Sequence, residues 1–297
     1  MSWMRVPLNL WLRLTEKTHL KRARTPEKLR RSFEMKAKIF FRAARGTRYR
    51  SEVVAGVPGL RVVPKGAGEG PLILYFHGGG YVFGSPATHR AMLSQLCRAT
   101  GLEAVLPGYR KAPEHPFPAA VDDAMAVYGA LADHPGGVVL GGDSAGGGLA
   151  LAILGEITRL GLAQPAGVFA FSPLTDMTCS GESLVRNAQA EAILPASRTG
   201  EMVQMYMGGH DPGDARATPL NAAFSGACPV WLCAGDTEIL LDDTRRMAAH
   251  LKAQGVSVVE IIEHDLPHVW PIFHTVLPEG RATLRQEAVW IRSLSSR

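Results

Sequence analysis

Four cysteines in 297 residues are too few for a disulfide framework, and Cys97, Cys179, Cys228 and Cys233 form no C-x-x-C pair. Reduced thiols in a cytoplasmic protein are the expectation. No apolar run approaches the ~18–20 residues that span a bilayer, so no integral membrane segment is expected. The first residues lack the order of a signal peptide, which is charge, then an apolar run, then a small-residue cleavage site. The 32 glycines and 20 prolines show no three-residue period, which excludes collagen. There is no low-complexity tract and no internal repeat. The phosphate-loop pattern G-x-x-x-x-G-K-[ST] is absent, and neither glycine cluster completes G-x-G-x-x-G.

What is present is an ordinary globular composition, 46% apolar and 20% charged. A chain this long buries about three quarters of its unfolded surface, which excludes disorder as the main state. The length permits two domains, although α/β folds often use ~200–250 residues for one. The net charge of +5 hides an asymmetry. Residues 1–50 hold 15 Lys and Arg against 3 acids, a net +12. Residues 51–297 hold 17 basic and 24 acidic side chains, a net −7. An acidic body argues against a nucleic-acid groove across the fold.

Between Trp3 and about Arg45, apolar and basic residues alternate. Leu8, Trp11, Leu12 and Leu14 recur at roughly helical spacing, as do Met35, Ile39 and Phe40. Two or more amphipathic helices, joined near Thr25-Pro26 and packed on the body, are predicted. Membrane-surface binding is the alternative. From residue 50 the pattern becomes α/β. Strands are predicted at Leu60–Val63, Leu72–Phe76, Leu102–Leu106, Val138–Leu140, Gly167–Phe171, Val230–Cys233 and Val256–Ile262. Helical patterns cover Ala87–Thr100, Ala119–Ala132, Ala145–Leu160, Asp242–Gln254 and about Val269–Leu294. Such alternation implies a mostly parallel sheet with helices on both faces. Residues 175–227 break the rhythm and carry a Met-rich helical stretch around Glu201–Met207. They read as an insertion above the strand ends, where such sheets bind ligands.

The strongest local signal is Gly142-Asp143-Ser144-Ala145-Gly146, between a predicted strand and a predicted helix. This is G-x-S-x-G in the strand–turn–helix context that exposes a nucleophilic serine. The turn strains the serine backbone, and side chains two residues away on either side would clash, so glycine sits at both. The N–H of Ala145, at the helix start, is then available to an oxyanion. His77-Gly78-Gly79-Gly80 follows the strand Leu72–Phe76. Three glycines let backbone N–H groups approach a substrate, and in G-x-S-x-G hydrolases this loop completes the oxyanion hole. His77 is expected to be structural. Tyr81 and Phe83 are expected to line the pocket or pack beneath it.

With these residues in place, the chain resembles the hormone-sensitive-lipase-like esterases, bacterial esterase family IV. Three blocks carry the likeness: His77–Gly84 (HGGGYVFG), Tyr109–Ala120 (YRKAPEHPFPAA) and Gly142–Gly147 (GDSAGG). Gly108 and Lys111 depart from the family's usual Asp and Leu in the middle block. The likeness covers roughly residues 70–270; residues 1–50 and 175–227 correspond only by position. It implies an α/β-hydrolase fold with a helical cap, and no cofactor or metal. The expected organisation is a cap part over 1–45, core over 46–174, a cap insertion over 175–227, and core over 228–297.

In this fold the acid and then the histidine follow the serine. Asp236 and Glu238 both lie just after the strand Val230–Cys233. The family pattern, an acid followed by x-L-x-D, is met by Glu238 to Asp242 and not from Asp236. Asp242 and Asp243 suit a helix start. His250 falls in a predicted helix as a surface residue, which leaves His264, His268 and His274. His268 lies in a loop, with the aromatic Trp270 two positions on as the family implies. His264 and His268 mimic a zinc H-x-x-x-H pair, but Pro267 would break the helix that pair requires.

The resemblance thus implies a Ser144–His268–Glu238 triad with Gly78, Gly79, Gly80 and Ala145 as oxyanion donors. The expected partner is a small-molecule ester with an acyl chain of roughly four to eight carbons, and a homodimer is allowed. Amidase, lactonase or a non-catalytic hydrolase-like binding protein are the competing readings.

Overall fold

The computed structural model describes residues 2–23 and 25–294. The chain opens with helices α1 (Arg5–Leu12), α2 (Thr18–Arg22) and α3 (Pro26–Phe40), with a wider π turn over Arg13–Lys17 between the first two. Strands β1 (Arg48–Val54), β2 (Val57–Val63) and β3 (Leu72–Phe76) follow, then α4 (Pro86–Thr100), β4 (Ala104–Pro107), α5 (Ala119–Leu131) and β5 (Val138–Asp143). Next come α6 (Ala145–Leu160), β6 (Gly167–Phe171), and the short helices α7 (Ser183–Arg186) and α8 (Thr199–Met207). The chain closes with β7 (Val230–Gly235), α9 (Leu241–Ala253), β8 (Val258–Glu263) and α10 (Pro278–Leu294).

The strands form one eight-stranded sheet in the order β1-β2-β4-β3-β5-β6-β7-β8. β1 and β2 pair antiparallel at one edge, and β3 to β8 run parallel. Strands covered on both faces need near-continuous apolar runs, and β3, β5 and β6 are buried at every position. Alternation sends Leu72, Leu74 and Phe76 to the core beneath α5 and α6, and Ile73 and Tyr75 to the core beneath α4 and α10.

Two elements differ from the sequence-based expectation. The first is β1, which no predicted strand covers. Its RYRSEVV pattern is exposed or half-buried throughout, because an edge strand with one neighbour has no buried face to advertise. The second is the last helix, which begins at Pro278 rather than near Val269. A 3₁₀ turn over Trp270–Phe273 precedes it, and Pro278 occupies the first helical position, where a missing N–H costs nothing.

The segment from 175 to 227 lies against the N-terminal helices. The Arg198 guanidinium donates to the carbonyls of Lys21 and Ala23 at 3.0 and 2.9 Å. Arg13 donates to Ala190 at 2.6 Å, and Lys17 Nζ to Ala188 and Glu191 at 2.8 and 2.7 Å. Basic side chains from the first segment thereby satisfy loop carbonyls of the second.

Candidate active site

Five neighbouring strands deliver the site at their carboxyl ends, where a parallel α/β sheet leaves its crevice. His77–Gly80 follows β3, Ser144 follows β5, Ser172 follows β6, Glu238 follows β7 and His268 follows β8. Ser144 has φ +53° and ψ −123°, an unfavourable conformation for a side chain with a Cβ. The flanking glycines are sterically required. A Cβ on Gly142 would lie 2.2 Å from the Gly146 carbonyl oxygen, and one on Gly146 would lie 2.1 Å from that of Phe76. The predicted strained turn and its glycines are therefore both present.

Glu238 and His268 meet in the interior, 1% and 5% exposed. His268 Nδ1 lies 2.6 Å from Glu238 Oε2. A carboxylate only accepts, so Nδ1 carries the proton and Nε2 is left with its lone pair. Nε2 is buried and has no hydrogen-bond partner among the described residues. Burial alone would lower the imidazole's pKa. The hydrogen bond and charge of Glu238, with Glu191 and Asp143 behind them, outweigh burial and raise it above the ordinary 6.5.

Asp236 is occupied elsewhere. Its carboxylate pairs with His264 Nδ1 at 2.7 Å and accepts the Asp265 N–H at 2.7 Å. His264 and His268 thus belong to different carboxylates on a turn rather than a helix. No cluster of three or more metal-ligating side chains exists among the described residues. His274 is buried and bonded to the Arg42 carbonyl at 2.9 Å. His250 lies on α9 as expected, but it is half-buried and bonded to the Ala222 carbonyl at 2.8 Å rather than free at the surface. Asp242 and Asp243 sit in the first turn of α9, as expected.

Several supporting residues were not anticipated. Ser172, at φ +49°, donates to Glu238 Oε1 at 2.8 Å and accepts from Val269 N–H at 3.1 Å. It ties the acid to the histidine loop, and the Gly235 N–H adds a further bond to Oε1 at 2.6 Å. Glu191, also buried, accepts the N–H groups of Ile193 at 2.8 Å and Ile239 at 3.1 Å. The Ser172–Glu238, Ser172–Val269 and Glu191–Ile239 contacts join chain segments tens of residues apart, so no local pattern announces them.

The glycine loop is held from behind by Asp143. Its carboxylate accepts Tyr75 Oη–H at 2.7 Å and the Gly78 N–H at 3.0 Å, and faces His89 Nε2 at 3.2 Å. The Gly78 N–H is thus already committed, which corrects its expected place among the oxyanion donors. The N–H groups of Gly79, Gly80 and Ala145 donate to no acceptor among the described residues. His77 is fully buried, its ring stacked 4.3 Å from Tyr109, whose hydroxyl donates to the His77 carbonyl at 2.6 Å. Desolvation, aided by His89 and Lys111, pushes its pKa well down, so it stays neutral behind the loop.

Ser144, His268, Gly79 and Gly80 share one cavity of about 510 Å³. Its other walls are mostly apolar: Leu8, Trp11, Leu29 and Phe33 from the N-terminal helices, and Leu194, Met202 and Met205 from the 175–227 segment. Phe83 lines it as well. Tyr81 packs beneath, stacked on Tyr206 at 3.8 Å. Tyr206 and Met207 are core residues, while Trp3 is exposed and not part of the wall. Gly108 and Lys111 do not reach the cavity.

A mostly parallel eight-stranded sheet carrying a strained serine in G-x-S-x-G, with a carboxylate-bound histidine lining the same cavity, defines an α/β-hydrolase. Residues 73–272 match the Abhydrolase_3 family, of alpha/beta hydrolase fold, and the chain belongs to it. It is 37% identical to an acetyl-hydrolase of Streptomyces hygroscopicus over 228 residues, 76% of each chain. An esterase of Acinetobacter venetianus is 32% identical over 245 residues, 81% of this chain and 80% of that one. Among solved structures, EstE5 superposes with a TM-score of 0.94 at 36% identity, over 100% of both chains. An esterase of the bacterial hormone-sensitive lipase family superposes with a TM-score of 0.93 at 35% identity, over 99% of both. The resemblance drawn from the three sequence blocks is borne out, and the protein is a hydrolase.

Proposed function

We propose that the protein hydrolyses carboxylic esters of short to medium acyl chain through Ser144, His268 and Glu238. One observation carries the reading: the unpartnered, lone-pair-bearing Nε2 of His268 lies in the same apolar cavity as Ser144, with its tautomer set by Glu238.

Ser144 Oγ attacks the ester carbonyl as its proton passes to His268 Nε2. The imidazolium formed is stabilised by Glu238. The carbonyl oxygen becomes an oxyanion within reach of the Gly79, Gly80 and Ala145 N–H groups, at the positive end of α6. As the tetrahedral intermediate collapses, Nε2–H protonates the departing alkoxide and an acyl-serine remains. Water, deprotonated by the same nitrogen, repeats the sequence on the acyl-enzyme and releases the acid. No step requires a group beyond these side chains and water.

The acidic limb of the pH profile has a definite sign. Only neutral His268 can accept the serine proton, and its neighbours hold its pKa above 6.5. kcat/KM is therefore expected to rise with pH through a midpoint above 6.5. Glu238→Gln removes the anion that favours the imidazolium, so its residual activity should show the midpoint moved to lower pH. A midpoint that stays put or rises would break the link between Glu238 and the base.

In this reading residues 1–45 and 175–227 are two parts of a cap over the strand ends, and 46–174 with 228–297 form the core. A cavity of about 510 Å³ is the size of a small-ligand pocket rather than an open groove. Each buried CH₂ contributes about 0.8 kcal/mol, so kcat/KM on p-nitrophenyl esters should rise up to about fourfold per methylene. It should then fall once the acyl chain outgrows the cavity, at roughly four to eight carbons. Activity that climbs steadily to emulsified long-chain triglycerides would contradict a closed acyl pocket.

A further inference from the structure

Exposed apolar side chains are not spread evenly over this molecule. Of the fifteen large exposed ones among the described residues, eight lie between Trp3 and Phe40. Trp3, Val6, Leu10 and Leu14 recur at intervals of three and four and so share the outer side of α1 and its extension. Trp3 is 79% exposed and Leu14 67%. Met35 and Ile39 do the same on α3 and share their stripe with Lys28, Arg31 and Lys38, which are exposed and take part in no ion pair among the described residues. Trp11 and Phe40, in edge contact at 5.6 Å, join the two helices.

We propose that the outer faces of α1 and α3 form a docking surface for an anionic lipid bilayer. Charge complementarity selects that occupant. Residues 1–50 carry a net +12 while residues 51–297 carry −7, so a negative surface attracts the N-terminal segment more than the rest of the chain. Apolar side chains interleaved with lysine and arginine along a helix, with a tryptophan at its start, suit the headgroup boundary. No described helix is long and apolar enough to cross a membrane, so the contact is peripheral.

The docked orientation has a consequence for the cavity. α1 and α3 turn Leu8, Leu29 and Phe33 inward to line it, and Trp11 and Phe40 both line it and are over 40% exposed. The cavity thus meets the surface beside the docking face, and an ester dissolved in the lipid reaches Ser144 without crossing bulk water. This consequence rests on the proposed ester hydrolysis; the docking itself does not.

Flotation of the 297-residue chain with vesicles separates the cases. One set is pure phosphatidylcholine and the other contains one third phosphatidylglycerol. Wild type should float with the anionic set at low salt, lose most of that binding at high salt, and ignore the neutral set. Leu10→Ser with Ile39→Ser, and separately Lys28→Glu with Arg31→Glu and Lys38→Glu, should each lower partitioning about tenfold or more. Neither set of substitutions touches the cavity wall, so turnover of soluble p-nitrophenyl acetate should be unchanged. Wild type that does not float with anionic vesicles overturns the proposal, as does binding that survives both sets of substitutions. A dimer in analytical ultracentrifugation that Leu10→Ser with Ile39→Ser dissolves, without vesicle binding, assigns the face to a second copy instead. Loss of p-nitrophenyl acetate turnover in wild type contradicts the esterase reading alone.

Discussion

Ser144→Ala is expected to lower kcat by about five orders of magnitude while the fold remains intact. The size of the loss follows from the role: without Oγ no acyl-enzyme forms, and only the oxyanion donors and substrate binding remain to assist water. The intact fold follows from the surroundings. The strain at residue 144 is in the backbone, at φ +53°, and alanine bears it as serine does. The Ser144 side chain makes no hydrogen bond with a described residue, so its loss orphans nothing. Tm should change by no more than a few degrees. His268→Ala should match the kinetic loss but also lower Tm, because it leaves the buried Glu238 carboxylate without its histidine partner. Near wild-type turnover in either variant would remove the nucleophile or the base from the account.

Glu238→Gln is expected to lower kcat by about three to four orders of magnitude with little change in KM. The amide oxygen of Gln can still accept from Ser172 and Gly235, which now donate to Glu238 Oε1 at 2.8 and 2.6 Å. Its NH₂ would then face His268 Nδ1. An amide donor there forces the proton to Nε2, and the nitrogen that should accept from Ser144 becomes a donor. Asp236→Asn should cost less than about tenfold, since Asp236 serves His264 and the Asp265 N–H at the side of the site. Steady-state kinetics on both variants ranks the two carboxylates, and the opposite ranking would move the acid to Asp236.

The parts of this molecule that local sequence determines were legible before the structure. A fully buried strand such as Leu72–Phe76 must be apolar at each position, and a strained serine turn must have glycine where a Cβ would meet a carbonyl oxygen. Both requirements write themselves into consecutive letters. Glu238 and Asp236 were harder to tell apart, because only the fold shows that the first meets His268 and the second His264. What escaped was set by distance in the chain. Ser172 reaches Glu238 across 66 residues, and Asp143 takes the Gly78 N–H across 65. The latter decides that Gly78 is a strut of the glycine loop and not a free donor. The edge strand Arg48–Val54 escaped for a different reason: exposed on both faces, it has no periodicity of burial to read.

The central claim is that Ser144 becomes acylated with His268 as its base, and the most direct measurement is covalent trapping read by mass spectrometry. A p-nitrophenyl alkylphosphonate should react once per chain, release one equivalent of nitrophenol, and leave its mass on the peptide containing Ser144. The same reagent should leave Ser144→Ala unmodified and react far more slowly with His268→Ala. Phosphonylation at another residue, or full turnover of esters by protein that shows no adduct on Ser144, would contradict the account.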